Sequence, residues 1–133
     1  MRQINKEIVI FSVYREKSKH ENLLNHTETM LELDSAGIKY TELVGYYKGS
    51  KELSLMIGLH NLDLAISIAK YFNQESILIS KSDRSTYLMD LTHYYDSYEE
   101  EYIGTLKPTS EFVAKKQHSY SYNPETDSYF VVV

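Results

Sequence analysis

The sequence contains no cysteine and no tryptophan, and it has only 2 prolines and 5 glycines among its 133 residues. The absence of cysteine excludes a disulfide framework, thiolate zinc sites, iron–sulfur clusters and a cysteine nucleophile together. Basic residues are also scarce: 14 lysines and arginines stand against 19 aspartates and glutamates, for a net charge of −5. Because proteins that bind nucleic-acid duplexes normally carry a basic excess, we expect no duplex among the partners.

Long apolar runs are missing as well. None approaches the roughly 18 residues needed to span a membrane, and residues 1–7 lack the apolar stretch of a signal peptide. We therefore expect a cytoplasmic protein with no membrane partner. With 133 residues, of which 42% are hydrophobic, the chain has the size of a single domain, residues 1–133, built around one core.

Signatures of the common catalytic sites are absent too. The glycines do not form a phosphate-binding loop, and the sequence has no serine-hydrolase elbow. No two of the 5 histidines have the helical spacing, with a glutamate, that binds zinc. We therefore expect neither a metal nor a cofactor, and we interpret the run Glu99-Glu100-Glu101 as a solvated acidic face.

Hydrophobic periodicity predicts seven strands and two helices. The predicted strands are residues 7–15, 38–47, 53–59, 75–81, 86–91, 119–122 and 128–133, and the helices are residues 20–35 and 61–72. The tyrosine-rich acidic segment 92–101 fits neither pattern. This order predicts an α+β two-layer sandwich: a mainly antiparallel sheet with two helices on one face and a C-terminal β-hairpin.

One predicted hairpin carries candidate chemistry. Gly45, Tyr46 and Tyr47 end one strand, and Glu52 opens the next after a short loop. A carboxylate beside a tyrosine face favours a ligand cation, such as a sulfonium or an ammonium, through charge and through the aromatic ring. From the pattern alone, the alternative is that Glu52 is an ordinary solvent-exposed residue at the start of a strand, with no functional role.

Five segments, in the same order along the chain, resemble the small phage-encoded enzymes that destroy S-adenosylmethionine, now understood as lyases. The matching segments are SVYR at 12–15, NLLNH at 22–26, GYY at 45–47 with Glu52, FNQESILISK at 72–81, and the hairpin 120–133. The loop between Tyr47 and Glu52 is several residues shorter than in the phage enzymes. Residues 52–54 and 74–78 also resemble the DUF3293 group of bacterial domains.

The resemblance implies a reaction that needs no water, metal or nucleophilic side chain. The carboxylate of the substrate attacks its own γ-carbon and displaces methylthioadenosine, which leaves homoserine lactone. Orienting such an intramolecular reaction is worth roughly 7–11 kcal/mol. By this resemblance, Glu52 and Tyr47 are the catalytic residues, and both act on the cationic centre of the substrate.

The resemblance also implies a set of substrate-binding residues, which are Ser12, Tyr14, Arg15, His26, Gln74, Ser76 and Lys81. The first three would form a wall of the nucleotide cleft, and Gln74 and Ser76 would contact adenine or ribose. Helix packing remains the alternative for His26 and for Asn22.

A related cellular family cleaves the conjugate of S-adenosylmethionine with AMP, a second messenger of some type III CRISPR systems. The shortened loop favours this conjugate slightly, because it opens the ribose side of the cleft. The extra phosphate would meet nearby basic residues, for which we name Lys48, Lys51, Lys81 and Arg84.

The phage enzymes are trimers with active sites between subunits, so we expect a homotrimer here. The 13 tyrosines fit this expectation, because tyrosine is enriched at interfaces. We also expect the single layer of helices to leave the other face of the sheet uncovered, and such a face would support assembly into a trimer. Two alternatives stay open: a non-enzymatic module that sequesters a nucleotide, and a purely structural or interaction protein.

Overall fold

The structure is a computed structural model that describes residues 7–15, 17–47, 50–92, 98–117 and 119–133. It has eight strands and three helices in these ranges. The strands are β1 Ile8–Phe11, β2 Thr41–Tyr47, β3 Ser50–Gly58, β4 Ser76–Ser80, β5 Ser85–Asp90, β6 Glu99–Thr109, β7 Ser119–Asn123 and β8 Ser128–Val132. The helices are α1 Lys19–Ser35, α2 Leu62–Tyr71 and α3 Glu111–Ala114, with a single 3₁₀ turn at Leu59–Asn61 before α2. None of the described helices is long and apolar enough to cross a membrane.

The eight strands form one closed antiparallel barrel in the order β1-β3-β2-β7-β8-β6-β5-β4, and β4 pairs back onto β1. The predicted two-layer α+β sandwich with two helices on one face is therefore wrong. All seven predicted strands are present, but they curl into a cylinder instead of an open sheet.

Strand β6, Glu99–Thr109, closes the barrel, and neither it nor the short helix α3 was predicted from the sequence. It pairs with β5 on one side and with β8 on the other. Its sequence begins with three glutamates and contains Pro108, which are residues that strands generally disfavour. Tertiary pairing on both sides overrides this local preference.

Gly104 lies at an irregularity of β6, where Thr86 of β5 pairs with Gly104 but the next residue, Tyr87, pairs with Tyr102. The φ of Gly104, +137°, lies in the region that only glycine adopts easily, and a Cβ there would lie 2.7 Å from the carbonyl oxygen of Val133. Next to it, Thr105 and Val133 exchange two backbone hydrogen bonds, at 2.7 and 2.9 Å. The chain terminus can approach β6 this closely because Gly104 has no side chain.

The outer face of the barrel supplies the main core. Side chains of β1, β3, β4 and β5 that point outward pack beneath α1 and α2. The buried residues of this core are Val9, Phe11, Val13, Leu33, Leu55, Ile57, Ala65, Ile68, Ala69, Ile77, Ile79, Met89 and Leu91. Farther round the barrel, the short helix α3 packs against β8.

Helix α1, which covers part of this core, is fixed at both ends. The hydroxyl of its N-cap residue Ser18 accepts a hydrogen bond from the backbone N–H of Glu21 at 3.1 Å. Gly37 follows the helix with a φ of +73°, and the N–H of Ile38 returns to the carbonyl of Leu33 at 2.9 Å. The predicted helix, residues 20–35, is confirmed to within one residue.

The opposite face of the strands is not an uncovered sheet face, as the sequence led us to expect. It lines the inside of the barrel. The terminal strand β8 is likewise paired on both sides within the chain, with β7 and with β6. Neither feature requires a neighbouring subunit.

Candidate functional site

The ladder register places Glu52 on the inner face of the barrel. Residues directly opposite each other in a ladder share a face, and alternate residues of a strand point to opposite faces. Leu55 and Ile57 of β3 belong to the outer core. Glu52 and Ser54 therefore point inward, opposite Gly45 and Leu43 of β2.

A cavity of about 490 Å³ occupies the interior at this end of the barrel. Its inward-facing lining combines apolar side chains with a few polar ones, as small-molecule sites do. These lining residues are Ile10, Gly45, Ser50, Glu52, Ser54, Ser76, Leu78, Leu88, Leu106, Ser119, Ser121, Phe130 and Val132. We refer to this space as the lumen mouth.

Glu52 is the acidic residue of this lining, and its side chain is exposed. The hydroxyl of Ser12 lies 3.4 Å from its Oε1 atom and donates at 3.0 Å to the carbonyl of Leu53. The backbone N–H of Tyr14 donates to the same Ser12 oxygen at 3.0 Å. Ser12 thus fixes the end of β1 against β3, directly beside the carboxylate.

The segment after β1 is anchored by side chains that the sequence had singled out. Asn22 accepts from the backbone N–H of Arg15 at 2.9 Å and donates to its carbonyl at 2.8 Å. Gln74 donates to the carbonyl of Tyr14 at 2.6 Å, and the guanidinium of Arg15 donates to the carbonyl of Asn73. These bonds tie β1, α1 and the α2–β4 junction together at the rim of the lumen mouth.

Tyr14 feels the charge of two carboxylates, those of Glu42 and Glu52. Burial raises the pKa of its hydroxyl above the ordinary value of 10.0, and the charges of Glu42 and Glu52 raise it further. Tyr14 therefore stays protonated well above neutral pH and can act as a hydrogen-bond donor at this rim.

His26 belongs to α1, where its side chain is fully buried, and it does not line the lumen mouth. Its Nε2 atom lies 2.7 Å from the carboxylate of Glu42, and its ring meets Tyr14 edge-on, with ring centres 6.2 Å apart. The Nδ1 atom is buried without a described partner. This geometry supports the packing interpretation of His26, with an indirect influence on Tyr14.

Lys81 and Arg84 lie away from the lumen mouth. Ser80 is paired with Ile8, and Ile8 with Gly58, so the end of β4 is at the far end of the barrel from Glu52. The ammonium of Lys81 lies over the outward ring of Tyr87 and 3.9 Å from Glu100. The structure therefore does not bring these two cations to the site.

The second predicted catalytic residue can be placed only in part. Tyr47 ends β2 opposite Ser50 and Ser119, at the same end of the barrel as Glu52. Its side chain, and the following Lys48 and Gly49, lie outside the described residues. The proposed role of the Tyr47 side chain stays a prediction.

Most of the lumen lining escaped the sequence-based prediction. Ser54 and Leu78 come from β3 and β4, whereas Ser121 and Phe130 pair with each other in the β7–β8 hairpin. Closure of the barrel places these two groups around one cavity. The alternation of small or polar with apolar residues along β3 and β4 was the available signal. Within the described residues, no group of three or more histidine and acidic side chains is arranged to hold a metal ion.

A closed barrel with a carboxylate at the mouth of a cavity of about 490 Å³ has the size and lining typical of small-molecule sites, and the carboxylate suits a cation. The comparison with known families agrees with this description. The chain belongs to the S-Adenosylmethionine lyase family, whose sequence profile matches residues 9–133. None of the curated proteins compared with the chain matches it. Membership in the family supports a lyase activity on an S-adenosylmethionine-like small molecule.

Proposed function

We propose that the lumen mouth is the active site of a carbon–sulfur lyase that cleaves the sulfonium of S-adenosylmethionine or of its conjugate with AMP. The observation that carries this proposal is the carboxylate of Glu52, which points into the cavity and is exposed there. No described lysine, arginine or histidine forms an ion pair with it. A bound cation would supply the missing opposite charge.

The proposed reaction is an intramolecular displacement. One carboxylate oxygen of the substrate attacks the γ-carbon of its methionine part, and the bond between that carbon and the sulfonium breaks. The electron pair goes to sulfur, which becomes the neutral thioether of methylthioadenosine, and the ring that forms is homoserine lactone. The reaction consumes no water and transfers no proton to the protein.

In this reaction the protein acts by positioning. Glu52 holds the cationic end of the substrate, and Tyr47 is proposed to act at the same centre. The substrate would displace water from the largely apolar lumen, where side chains such as Leu78, Leu88 and Phe130 would confine the folded methionine chain. Holding a reactive conformer of this kind is worth roughly 7–11 kcal/mol of activation free energy.

The second part of the proposal concerns the substrate. Strands β2 and β3 are joined by only two residues, 48 and 49. A connection this short leaves the rim beside Glu52 open to a group attached to the ribose, which supports the AMP conjugate as the preferred substrate. Equal binding of both compounds with turnover of free S-adenosylmethionine alone would contradict this preference.

A homotrimer with active sites between subunits is the third part of the proposal. On the outer face of β2, β7 and β8, Tyr46 stacks on Tyr120 with ring centres 4.7 Å apart, and Tyr129 lies within 6.0 Å of Tyr120 and 4.7 Å of Tyr122. Tyrosine in such rows is typical of subunit interfaces. A neighbouring subunit would provide the wall of the rim that one barrel lacks.

The test is to incubate the purified protein with each compound separately and to follow the products by chromatography. We expect methylthioadenosine, or its AMP conjugate, together with homoserine lactone. Reaction in ¹⁸O-water should leave the freshly formed lactone unlabelled. Immediate label in homoserine would show attack by water, and tight binding without products would favour a sequestering module instead.

A further inference from the structure

A second cavity, of about 470 Å³, lies on the outer side of the barrel next to the lumen mouth. It is formed where the segment after β1 enters α1 and passes the start of β3. Its lining residues are Tyr14, Lys17, Lys19, Asn22, Leu23, Lys51 and Leu53. We refer to it as the lysine pocket.

The charge of this pocket is unusual for the molecule. Three of its seven described lining residues are lysines and none is acidic, although the whole chain carries a net charge of −5. None of these lysines forms an ion pair with a described carboxylate. Like charges gathered in one concave site repel each other and attract an anion.

The remaining lining residues add to this chemistry. Tyr14 contributes an aromatic ring, and Leu23 and Leu53 contribute apolar surface. The amide of Asn22 is already engaged on both sides with the backbone of Arg15, so it shapes the pocket without offering a free donor. Ammonium groups beside an aromatic and an apolar surface fit a phosphate carried by a flat ring system.

The lysine pocket and the lumen mouth lie on opposite faces of the same stretch of β3. Lys51 and Glu52 are consecutive residues of β3 whose side chains leave the strand on opposite faces. Ser12 contacts Glu52, while Tyr14, whose backbone N–H bonds to Ser12, lines the lysine pocket. A ligand that extends across the edge of the barrel between Lys51 and Glu52 would place a cation on Glu52 and an anion on the lysines.

We propose that the lysine pocket is a subsite for a phosphate group, and that Lys17, Lys19 and Lys51 select substrates that carry one next to the sulfonium nucleoside. The choice of substrate rests on the proposed function, whereas the binding of phosphate does not. Lys51 is one of the four cations named from the sequence, while Lys17 and Lys19 are assigned by the structure alone.

The test combines binding with kinetics. Calorimetry measures the affinity of the wild-type protein for AMP and for inorganic phosphate. The triple variant Lys17→Gln/Lys19→Gln/Lys51→Gln is compared with Lys39→Gln, a lysine that lines the cavity at the other end of the barrel. All three substituted lysines are exposed, so the fold should survive, and the single variant Lys51→Gln provides a milder form.

We expect the triple variant to bind AMP at least about tenfold more weakly and to lose most of the salt dependence of binding. Its KM for the AMP conjugate should rise by a similar factor with little change in kcat. Its KM for free S-adenosylmethionine should stay the same, and Lys39→Gln should behave as wild type.

The other outcomes are equally informative. Unchanged AMP and phosphate binding in the triple variant would overturn the subsite. Lost phosphate binding with an unchanged KM for the conjugate would overturn the assignment to substrate and identify a site for a free anion. If the wild-type protein binds AMP through these lysines but turns over neither compound, the proposed function fails while the subsite stands.

Discussion

Replacing Glu52 by glutamine removes one negative charge from the lumen mouth and keeps the shape of the side chain. The expected loss follows from Coulomb's law. Two unit charges about 4 Å apart attract by roughly 1 kcal/mol in bulk water and by roughly 4 kcal/mol at an effective dielectric constant of about 20. Glu52 is exposed in the free protein, so the larger value applies only when the substrate has displaced water from the cavity.

Because the reaction takes place in that filled state, we expect kcat/KM of Glu52→Gln to fall by about two to three orders of magnitude. The fold should be unaffected, since the hydroxyl of Ser12 keeps its 3.0 Å bond to the carbonyl of Leu53. The free energy of unfolding should stay within about 0.5 kcal/mol of wild type.

The assay is the rate of methylthioadenosine formation, measured by chromatography at several substrate concentrations. Glu125→Gln is the matched control, because Glu125 is an exposed residue of the β7–β8 turn at the far end of the barrel. It loses the same charge without touching the lumen. A Glu52→Gln protein with kcat/KM within about twofold of wild type would refute the role of this carboxylate.

Three further predictions concern the fold and the assembly. Gly104→Ala should lower the free energy of unfolding in urea by about 2–3 kcal/mol, because φ is +137° and the new Cβ would lie 2.7 Å from the carbonyl oxygen of Val133. Gly37→Ala, with φ +73° and open space around the new Cβ, should lower it by only about 1 kcal/mol. Equal losses for the two variants would contradict the role of Gly104 in closure. The pKa of Tyr122 is raised chiefly by the hydrogen bond that its hydroxyl donates to Asp127 at 2.9 Å. This bond therefore stabilises the fold below pH 10, and its contribution is lost as the pH rises through the raised pKa. Asp127→Asn should lower the pKa of Tyr122 in a tyrosine NMR titration, and an unchanged titration would show that another cause dominates. Sedimentation should give about three times the 15.5 kDa chain mass, whereas a fully active monomer at micromolar concentration would exclude sites shared between subunits.

Local sequence patterns predicted the elements better than their arrangement. Along β3, the apolar residues Leu53, Leu55 and Ile57 alternate with Ser54 and Met56. This alternation correctly separated the two faces of the strand, because successive side chains of a strand point to opposite faces. Closure depends instead on the pairing of β6 with β8, and nothing local in a run of glutamates followed by Pro108 indicates it. Because β6 was not predicted, the remaining strands suggested a two-layer α+β sandwich with an open sheet.

The resemblance pointed to some residues of the candidate site, whereas strand register and helix packing determine the others. Ser12 lies beside Glu52, Ser76 lines the same cavity, and Gln74 contacts the carbonyl of Tyr14. The substrate-binding role of these three residues stays a prediction. Lys81 lies away from this site, because the register of β4 against β1 carries it to the far end of the barrel. No sequence pattern marked Lys17 and Lys19 as site residues, because they come near Lys51 only when α1 packs beside β3.

The location of the bound ligand tests the central claim most directly. A crystal structure would be determined with a non-cleavable analogue of S-adenosylmethionine in which a protonated amine replaces the sulfonium. We predict that its methionine part fills the lumen mouth, with the charged amine beside the carboxylate of Glu52. An analogue bound instead in the cavity at the other end of the barrel, between Tyr40 and His60, would contradict the account.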